Sequence, residues 1–411
     1  MARRGEAGRR GKDVRSDCWV GIELRDSGGL ALEMKSKVQA LYGDDIRQRI
    51  VAGCATLGVT HAAVEVDDQG ALPFVLMARL EAAVRRAWPE CAAQLLPPQA
   101  AANRGASDRE RMRRTRLYLP GNEPKFALNA GLHGADGLIL DLEDSVAPAE
   151  KDAARVAVRN ALRVVDFHGA ERMVRINQGA RGLEDLDWIV PHGVQLVLIP
   201  KVEDPAQVVA VRERIDGIRR ANGLAAEVWL MPIVESARGA WLAFGIAAAT
   251  DTVVGLAIGL EDYTADIGAE RTLEGRESFW ARAQVLNGAR AAGVQPIDTV
   301  FSDVADMDGL RKSVEEARSL GFVGKGCIHP RQIPVVHDAF APPPASIEKA
   351  TRIVRAFEEA AARGLGVVSL GSKMIDPPVV KRAQATVAAA VAAGKLAANW
   401  RDAAAGEGKA S

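Results

Sequence analysis

The amino-acid sequence predicts an α/β protein: a (β/α)8 barrel of the TIM type, preceded by a small α+β domain and followed by a C-terminal helical extension. Eight strand-like runs, mostly separated by helical patterns, follow one another between residues 114 and 330. Many of these runs are apolar throughout, as is typical of parallel strands buried on both faces. Eight such units favour a closed barrel over an open doubly wound sheet. No G-x-G-x-x-G motif follows a run, so a dinucleotide-binding fold has no support.

Residues 1–87 are predicted to contain the small α+β domain, whose pattern begins at residue 17. The 38–57 segment has apolar residues at helical spacing, and an Asp-Asp-Gln-Gly sequence at 67–70 indicates a turn. The predicted elements are a strand at 18–24, a helix at 38–57, a strand at 62–66 and a helix at 76–86.

Residues 88–113 differ in composition from the segments on either side. Two consecutive prolines (Pro97 and Pro98), several alanines and a cluster of arginines between Arg104 and Arg114 occur here. Such a segment is typical of a solvated linker. A binding patch is the alternative interpretation of the arginine cluster.

The barrel is predicted to occupy residues 114–344. Helical patterns fill most gaps between its strands, for example at 150–164, 205–221 and 278–292. The predicted strands are 116–119, 137–142, 172–176, 195–202, 227–234, 252–260, 296–301 and 324–328.

Residues 345–411 are predicted to form the helical extension. Two long helical patterns are joined by the segment 364–374. Pro377 and Pro378 are suited to the first positions of the second helix, and Asp376 to its N-cap.

Composition narrows the possible partners and the compartment. The 53 basic and 53 acidic side chains balance, so neither a nucleic acid nor a membrane surface is indicated as a partner. The four cysteines are far apart and fit neither a zinc site nor a disulfide framework. No run of 18 apolar residues suggests a membrane span. We therefore expect a cytoplasmic protein.

Acidic residues recur where the predicted strands end, which is the face of a barrel that carries the chemistry. Glu235 follows the fifth strand and Asp262 follows the sixth. No cysteine occurs at these ends, so the available ligands are carboxylates, which favour a hard cation such as Mg²⁺. The alternative is that these acids cap the following helices or pair with arginine and lysine.

Two further strand ends carry residues that could act on a substrate. Arg175 closes the third strand, where its guanidinium could bind a substrate carboxylate through two hydrogen bonds or pair with Asp141 or Glu143. His329 follows the eighth strand, and a structural histidine is favoured there over a catalytic one.

The strand-end motifs together resemble the citrate lyase β-subunit family, which includes lyases for malyl-CoA, citramalyl-CoA and related acyl thioesters. They occur in family order and cover about residues 114–395. The motifs are Leu117-Tyr118-Leu119-Pro120-Gly121-Asn122, Leu140-Asp141-Leu142-Glu143-Asp144, Val174-Arg175-Ile176-Asn177, Pro200-Lys201-Val202-Glu203, Val234-Glu235-Ser236-Ala237-Arg238-Gly239, Gly259-Leu260-Glu261-Asp262, Gly324-Lys325-Gly326-Cys327-Ile328-His329-Pro330 and the segment Gly371 to Pro378.

The resemblance implies roles for individual residues. Glu235 and Asp262 would hold Mg²⁺, with Glu235 also close to the substrate, and Arg175 would bind the substrate carboxylate. Tyr118 and the loop Pro120–Asn122 would lie near the carrier end of the thioester. Asp376 would be the acid/base and would reach into the active site of a neighbouring subunit, which implies a homo-oligomer.

The N-terminal block has a resemblance of its own, to the γ-subunit of citrate lyase, which is an acyl carrier protein. It depends on Asp17-Cys18-Trp19-Val20, Tyr42-Gly43-Asp44-Asp45-Ile46 and Asp67-Asp68-Gln69-Gly70-Ala71-Leu72. The family attaches a phosphoribosyl-dephospho-CoA arm to a serine just before the first strand. An alignment without gaps puts Arg15 there, and Ser16 is the next residue. Either Ser16 carries the arm or the domain serves in assembly.

These resemblances imply a carbon–carbon lyase that cleaves a 3-hydroxy acyl thioester. The fused carrier-like block favours citryl thioester, cleaved to oxaloacetate and an acetyl thioester, with a citrate lyase α-subunit as the transferase partner. A malyl-CoA or citramalyl-CoA lyase is one alternative. A non-catalytic scaffold subunit that binds an acyl carrier is another.

Overall fold

The computed structural model describes residues 3–362, 368–370 and 373–401. Gly371 and Ser372 of the last motif, and residues 402–411 of the extension, lie outside the described residues. The chain divides into two compact units. The first contains the described residues of Met1–Asp306 and Ala317–Ile333, and the second those of Met307–Glu316 and Pro334–Ser411. No helix in the described part of the chain has the length and apolarity to cross a lipid bilayer.

The first unit begins with a four-stranded sheet covered by two helices. The sheet has the strand order β1-β2-β4-β3, in which β3 and β4 are parallel and the other pairs antiparallel. The elements are β1 (Arg3–Gly8), β2 (Cys18–Leu24), β3 (Leu30–Ser36), α1 (Gln39–Thr56), β4 (Ala62–Asp68) and α2 (Pro73–Ala87). The predicted β2, β4 and both helices are present, whereas the edge strands β1 and β3 were not predicted.

Eight parallel strands close into the predicted barrel, and each predicted strand overlaps one of them. The strands are β5 (Thr115–Pro120), β6 (Gly137–Asp141), β7 (Glu171–Arg175), β8 (Leu196–Ile199), β9 (Trp229–Val234), β10 (Gly255–Ile258), β11 (Gln295–Asp298) and β12 (Gly324–Cys327). The last strand pairs with the first, since Gly326 lies opposite Arg116. The four residues of β8 are all apolar and buried, which explains why the apolar runs predicted parallel strands.

Helices follow most barrel strands, as in a βα repeat. Asp204 caps α6: its carboxylate accepts from the N–H of Ala206, and the side chain of Gln207 accepts from the N–H of Asp204. Gly223, at φ 64°, ends that helix. The helices from β5 onward are α3 (Pro124–Ala127), α4 (Lys151–Val164), α5 (Gly179–Ile189), α6 (Pro205–Asn222), α7 (Ala237–Trp241), α8 (Ala243–Ala247), α9 (Leu260–Asp266), α10 (Phe279–Ala291), α11 (Met307–Leu320) and α12 (Gln332–Phe340).

Residues 88–113, predicted to be a solvated linker, are exposed at many positions and also contact the N-terminal end of the barrel. Their role as a linker stays a prediction. Arg113 and Glu171, the first residue of β7, form a fully buried ion pair of 2.7 Å. The carbonyl of Ser107 accepts from the indole N–H of Trp229, which begins β9. Of the arginines in this cluster, Arg113 thus has its partner at a strand start, whereas Arg104 is exposed.

The carrier-like sheet is joined to the barrel through α2, most of which is buried. Glu81 on α2 and Arg159 on α4 form an ion pair of 2.7 Å in which both side chains are fully buried. Arg79 binds Asp17 through two hydrogen bonds and donates a third to the carbonyl of Asn122, just past β5. These contacts fix the end of β5 against the carrier-like sheet.

The second unit contains parts of α11 and α12, followed by two long helices and a short hairpin. The elements after α12 are α13 (Pro344–Ala362), β13 (Val368–Leu370), β14 (Lys373–Ile375) and α14 (Pro377–Ala392). An apolar cluster that includes Ile353, Val387 and Trp400 holds the helices together. The predicted cap is confirmed, because the side chain of Asp376 accepts from the N–H of Val379 and Pro377 opens α14.

Candidate active site

A cavity of about 460 Å³ opens at the C-terminal ends of the barrel strands. It is lined by polar or charged residues from several strands, and the principal ones are Arg116, Tyr118, Asp141, Asp144, Arg175, Glu235, Glu261, Asp262, Asp298 and Thr299. Because consecutive parallel strands end on the same face, residues far apart in sequence meet here. The cavity brings together Tyr118, Pro120, Arg175, Glu235 and Asp262 of the predicted site.

Glu235 follows β9 and is 7% exposed. Burial raises the pKa of its carboxyl to about 7, and the negative charge of Asp262 contributes to the rise. One carboxylate oxygen accepts from the backbone N–H of Lys201 at 2.9 Å. The other lies against Gly259, where a Cβ would come within 2.4 Å of it. A Cβ at residue 259 would therefore displace the Glu235 side chain from this position.

Asp262 lies in the first turn of α9 and is half-exposed at the cavity. Its carboxylate pairs with the ammonium group of Lys201 at 3.2 Å. Lys201 has a left-handed backbone (φ 49°), a conformation that costs energy for a residue with a Cβ. In this way one residue contacts both predicted metal ligands, Glu235 through its N–H and Asp262 through its side chain. Sequence reasoning gave Lys201 no role, although it follows β8 within a strand-end motif.

Arg175 is held by carboxylates at the end of β6 and in the loop that follows it. Its Nε and Nη2 bind the two oxygens of Asp141 at 2.6 and 2.7 Å, and its Nη1 lies 3.0 Å from Glu143. Burial alone would raise the pKa of Asp141, but the hydrogen bonds from Arg175 outweigh it and lower that pKa. The pairing left open by the sequence is present, and it fixes the guanidinium at the wall of the cavity.

Residues 117–122, the motif at the end of β5, contact both the cavity and the carrier-like domain. Tyr118 and Pro120 line the cavity, and the Tyr118 ring lies 5.3 Å from the guanidinium of Arg175. Asn122 does not line it: this residue is buried, and its carbonyl accepts from Arg79. Contact between Asn122 and a substrate stays a prediction.

The donor set at the cavity is compatible with magnesium. Glu235 and Asp262 offer carboxylate oxygens that interact electrostatically. Mg²⁺ typically takes one or two protein carboxylates and fills its other positions with water or substrate. Among the described residues, no group of three or more histidine, cysteine, aspartate or glutamate side chains is arranged as a metal cage. An ion held by two carboxylates would leave room for substrate oxygens.

Three other predicted residues are not among those that line the cavity. Asp376 is exposed and belongs to the second unit. His329 accepts from the N–H of Arg331 through its Nδ1, a local hydrogen bond of the structural kind. Ser16 lies in the loop between β1 and β2 with φ 54°, next to the buried Asp17. Arg15 is exposed.

Arg116 is a cavity residue that the sequence analysis did not single out. It is the second residue of β5, on the same face as Tyr118 and Pro120, and it is 1% exposed. The sequence does contain a signal for it: side chains two positions apart on a strand share one face, so Arg116 must face the barrel interior if Tyr118 does.

Family models match most of the described chain. Residues 114–330 match HpcH/HpaI aldolase/citrate lyase, and residues 277–393 match a carbon–carbon bond lyase of the TIM-barrel fold. Residues 9–87 match an acyl carrier model described as malonate decarboxylase delta subunit (MdcD). The acyl-carrier-like character of the N-terminal domain is therefore confirmed, although the matching model does not name the γ-subunit of citrate lyase.

Individual relatives agree with the family models. The chain is 40% identical to citrate lyase subunit beta of Leuconostoc mesenteroides over 67% of this chain and 92% of that protein. It is 34% identical to human mitochondrial citramalyl-CoA lyase, over 67% and 84% of the two chains. The crystal structure of Mycobacterium tuberculosis CitE with magnesium, acetoacetate and coenzyme A has a TM-score of 0.57 and 33% identity, covering 69% of this chain and 99% of that one.

Proposed function

The chain belongs to the HpcH/HpaI aldolase/citrate lyase family, and we propose that it cleaves a citryl thioester to oxaloacetate and an acetyl thioester. The observation that carries the proposal is the cavity, in which the carboxylates of Glu235 and Asp262 share the C-terminal end of the barrel with the fixed guanidinium of Arg175. A cation site beside a cationic side chain suits a substrate with a hydroxyl and a carboxylate on one carbon.

The cavity residues would perform the cleavage as follows. A magnesium ion held by Glu235 and Asp262 would, when bound, supply positive charge next to the substrate hydroxyl and carboxylate oxygens. Arg175, oriented by Asp141, would bind the carboxylate and align the bond to be broken. In this substrate C3 bears the hydroxyl group, and C2 lies between C3 and the thioester carbonyl. When the hydroxyl proton is removed, its oxygen forms a carbonyl group with C3. The C2–C3 bond then breaks, and its electron pair forms the thioester enolate. A proton added at C2 then gives the acetyl thioester.

Asp376 is the proposed base for the hydroxyl proton, acting in the site of a neighbouring subunit of a homo-oligomer. Two features support it: its carboxylate is exposed, and it lies in the family motif that ends at Pro378. The side chain already accepts from the N–H of Val379, which fixes its orientation at the start of α14.

A lyase assay against citryl-CoA, malyl-CoA and citramalyl-CoA, with and without Mg²⁺, tests the proposal. We expect Mg²⁺-dependent cleavage of citryl-CoA, and a fall in kcat/KM of about 100-fold or more for Asp262→Asn, which removes half of the charge of the cation site. Asp26→Asn, at an exposed position beyond β2, is the matched control.

Other outcomes of the same assay select the alternatives. Preferential cleavage of malyl-CoA or citramalyl-CoA would keep the lyase and change its substrate. A folded, Mg²⁺-loaded protein that cleaves none of the three thioesters would instead be a scaffold subunit that binds an acyl carrier.

Ser16 is the proposed attachment point for a phosphoribosyl-dephospho-CoA arm. Two features support it: the residue lies in the loop before β2 of an acyl-carrier-like domain, and the adjacent Asp17 is linked through Arg79 to the loop after β5. Intact mass spectrometry of the chain made in cells with the arm-transfer enzymes should show an added arm that Ser16→Ala abolishes. An unmodified mass would leave the domain with a role in assembly.

The proposal includes a partner and a compartment. A citrate lyase α-subunit would supply the acyl exchange that reloads the carrier. The protein would work in the cytoplasm, where thiols stay reduced, since Cys18, Cys54, Cys91 and Cys327 are all free and buried.

A further inference from the structure

Arg116 places a positive charge at the inner end of the cavity. Its side chain lies below Tyr118 on the same face of β5, and both residues line the cavity. Arg116 is 1% exposed, so water does not solvate its guanidinium well.

Arg116 differs from the other large buried cations of the first unit. Arginine and lysine provide the five largest fully buried side chains among the described residues. Four of them pair with a carboxylate within 2.8 Å, as Arg79–Asp17, Arg113–Glu171, Arg159–Glu81 and Lys325–Asp298. Arg116 has no ion pair with any described residue.

The polar contacts of Arg116 are also incomplete. Its Nη1 donates to Sδ of Met231 at 3.1 Å, a weak acceptor, and its Nε is buried without a hydrogen-bond partner in the described part of the chain. Burial lowers the pKa of the guanidinium. A buried cation without a counter-ion destabilises the fold, and a bound anion would offset that cost.

Asp298 acts electrostatically on Arg116 but forms no ion pair with it. It lines the cavity, but its carboxylate is shared by Lys325 at 2.8 Å and Arg282 at 3.1 Å. Arg116 therefore lines the cavity with a guanidinium that has no ion pair among the described residues, and a substrate carboxylate could supply one.

We propose that Arg116 binds a second carboxylate of the substrate and thereby selects thioesters whose cleavage releases a dicarboxylic oxo acid. The inference rests on the lyase function proposed above and specifies its substrate class. One carboxylate, on the carbon that bears the hydroxyl, is assigned to Arg175 and the cation site. The carboxylate for Arg116 is on the remaining substituent of that carbon.

The candidate thioesters differ at this substituent. It is a carboxymethyl group in citryl-CoA, a methyl group in citramalyl-CoA and a hydrogen atom in malyl-CoA. Only the first of these can neutralise Arg116. A methyl group or a hydrogen atom would leave the guanidinium buried and unpaired in the complex, which a charged binding site penalises strongly.

The test combines Arg116→Met with two measurements. We expect the kcat/KM ratio of citryl-CoA to citramalyl-CoA to fall about 10- to 100-fold in the variant. Calorimetry with Mg²⁺ should show that the wild type binds oxaloacetate more tightly than pyruvate, and that Arg116→Met loses this preference. Arg116→Lys should recover part of it, while Met231→Leu, which changes only the sulfur contact, should keep the wild-type ratio.

The unfolding temperature of Arg116→Met distinguishes a role of Arg116 in substrate binding from a role in stabilising the fold. Replacing an unpaired buried cation with an apolar side chain should leave the unfolding temperature unchanged or raise it. A less stable Arg116→Met protein with unchanged selectivity would overturn the inference while leaving the lyase function intact. If that variant does not fold, the wild type still decides, because equal binding of oxaloacetate and pyruvate would refute a role in selection. A wild type that prefers oxaloacetate but cleaves no thioester would refute only the lyase function.

Discussion

His192 is a buried histidine whose protonation should weaken the fold in mild acid. Its side chain lies after α5, and its Nδ1 is 3.0 Å from Nη1 of Arg163, which suits an accepting, neutral ring. Burial lowers the pKa of His192 to about 3, and the charges of Arg159 and Arg163 contribute. The unfolded chain, with a pKa near 6.5, therefore binds this proton first as the pH falls.

Because the unfolded chain binds the proton at a higher pH than the folded protein does, acidification should destabilise the fold. Above pH 6.5 neither state is protonated at His192, so the residue contributes no pH dependence; between about 6.5 and 3 only the unfolded state gains the proton. Stability should fall on acidification by up to about 1.4 kcal/mol per pH unit from this residue. We expect the free energy of unfolding, measured with urea at several pH values between 4 and 8, to change less steeply with pH in His192→Gln than in the wild type. Its matched control is His133→Gln, at an exposed position, and equal slopes in the wild type and His192→Gln would contradict the prediction.

The residues of the candidate site differ in how far the sequence could predict them. Glu235 and Asp262 were predicted from their positions after two strands, because a barrel brings all strand ends to one face. The partner of Arg175 stayed undecided, since spacing alone cannot separate a substrate carboxylate from Asp141. Lys201 was missed because its contact with both acids depends on a left-handed backbone that no local pattern indicates.

Among the elements, the barrel strands were the most predictable. Each is a short apolar run, such as Leu196–Ile199, and burial on both faces requires that composition. The strands β1 and β3 were missed because each pairs along one side only, at the edges of the first sheet. In β1 only Ala7 is buried, so the core places little constraint on its sequence.

The segment 88–113 has buried partners that its composition does not indicate. Arginines and prolines usually indicate solvent, but Arg113 pairs with Glu171 inside the first unit and Asn103 donates to the carbonyl of Val165. Those partners are about sixty residues away in the chain, so the local sequence pattern gives no indication of them. The segment closes the N-terminal end of the barrel, opposite the cavity.

For the molecule as a whole, the main consequence is that the carrier-like domain and the barrel share buried contacts. Glu81 binds Arg159 of α4, accepts from Arg85, and accepts from the N–H of Leu95. Its carboxylate is fully buried and has partners on both sides of the junction. A carrier domain that swings free of its enzyme would have to break these contacts, so this domain is fixed on its barrel.

That coupling predicts how the first unit unfolds. Arg159→Met removes two charge-assisted hydrogen bonds from the fully buried carboxylate of Glu81 and leaves it with Arg85 and the N–H of Leu95. The variant should therefore lower the free energy of unfolding by about 1.5–3 kcal/mol. The double variant Glu81→Met/Arg159→Met should lose less than the sum of the two single variants, because it leaves neither charge unpaired. Urea unfolding followed by tryptophan fluorescence measures all four proteins. Asp152→Asn is the matched control, since its pair with Arg86 joins the same two parts at an exposed position and should cost at most about 1 kcal/mol. A loss for Arg159→Met as small as that of the control would mean that the carrier-like domain is held to the barrel by something other than its buried charges.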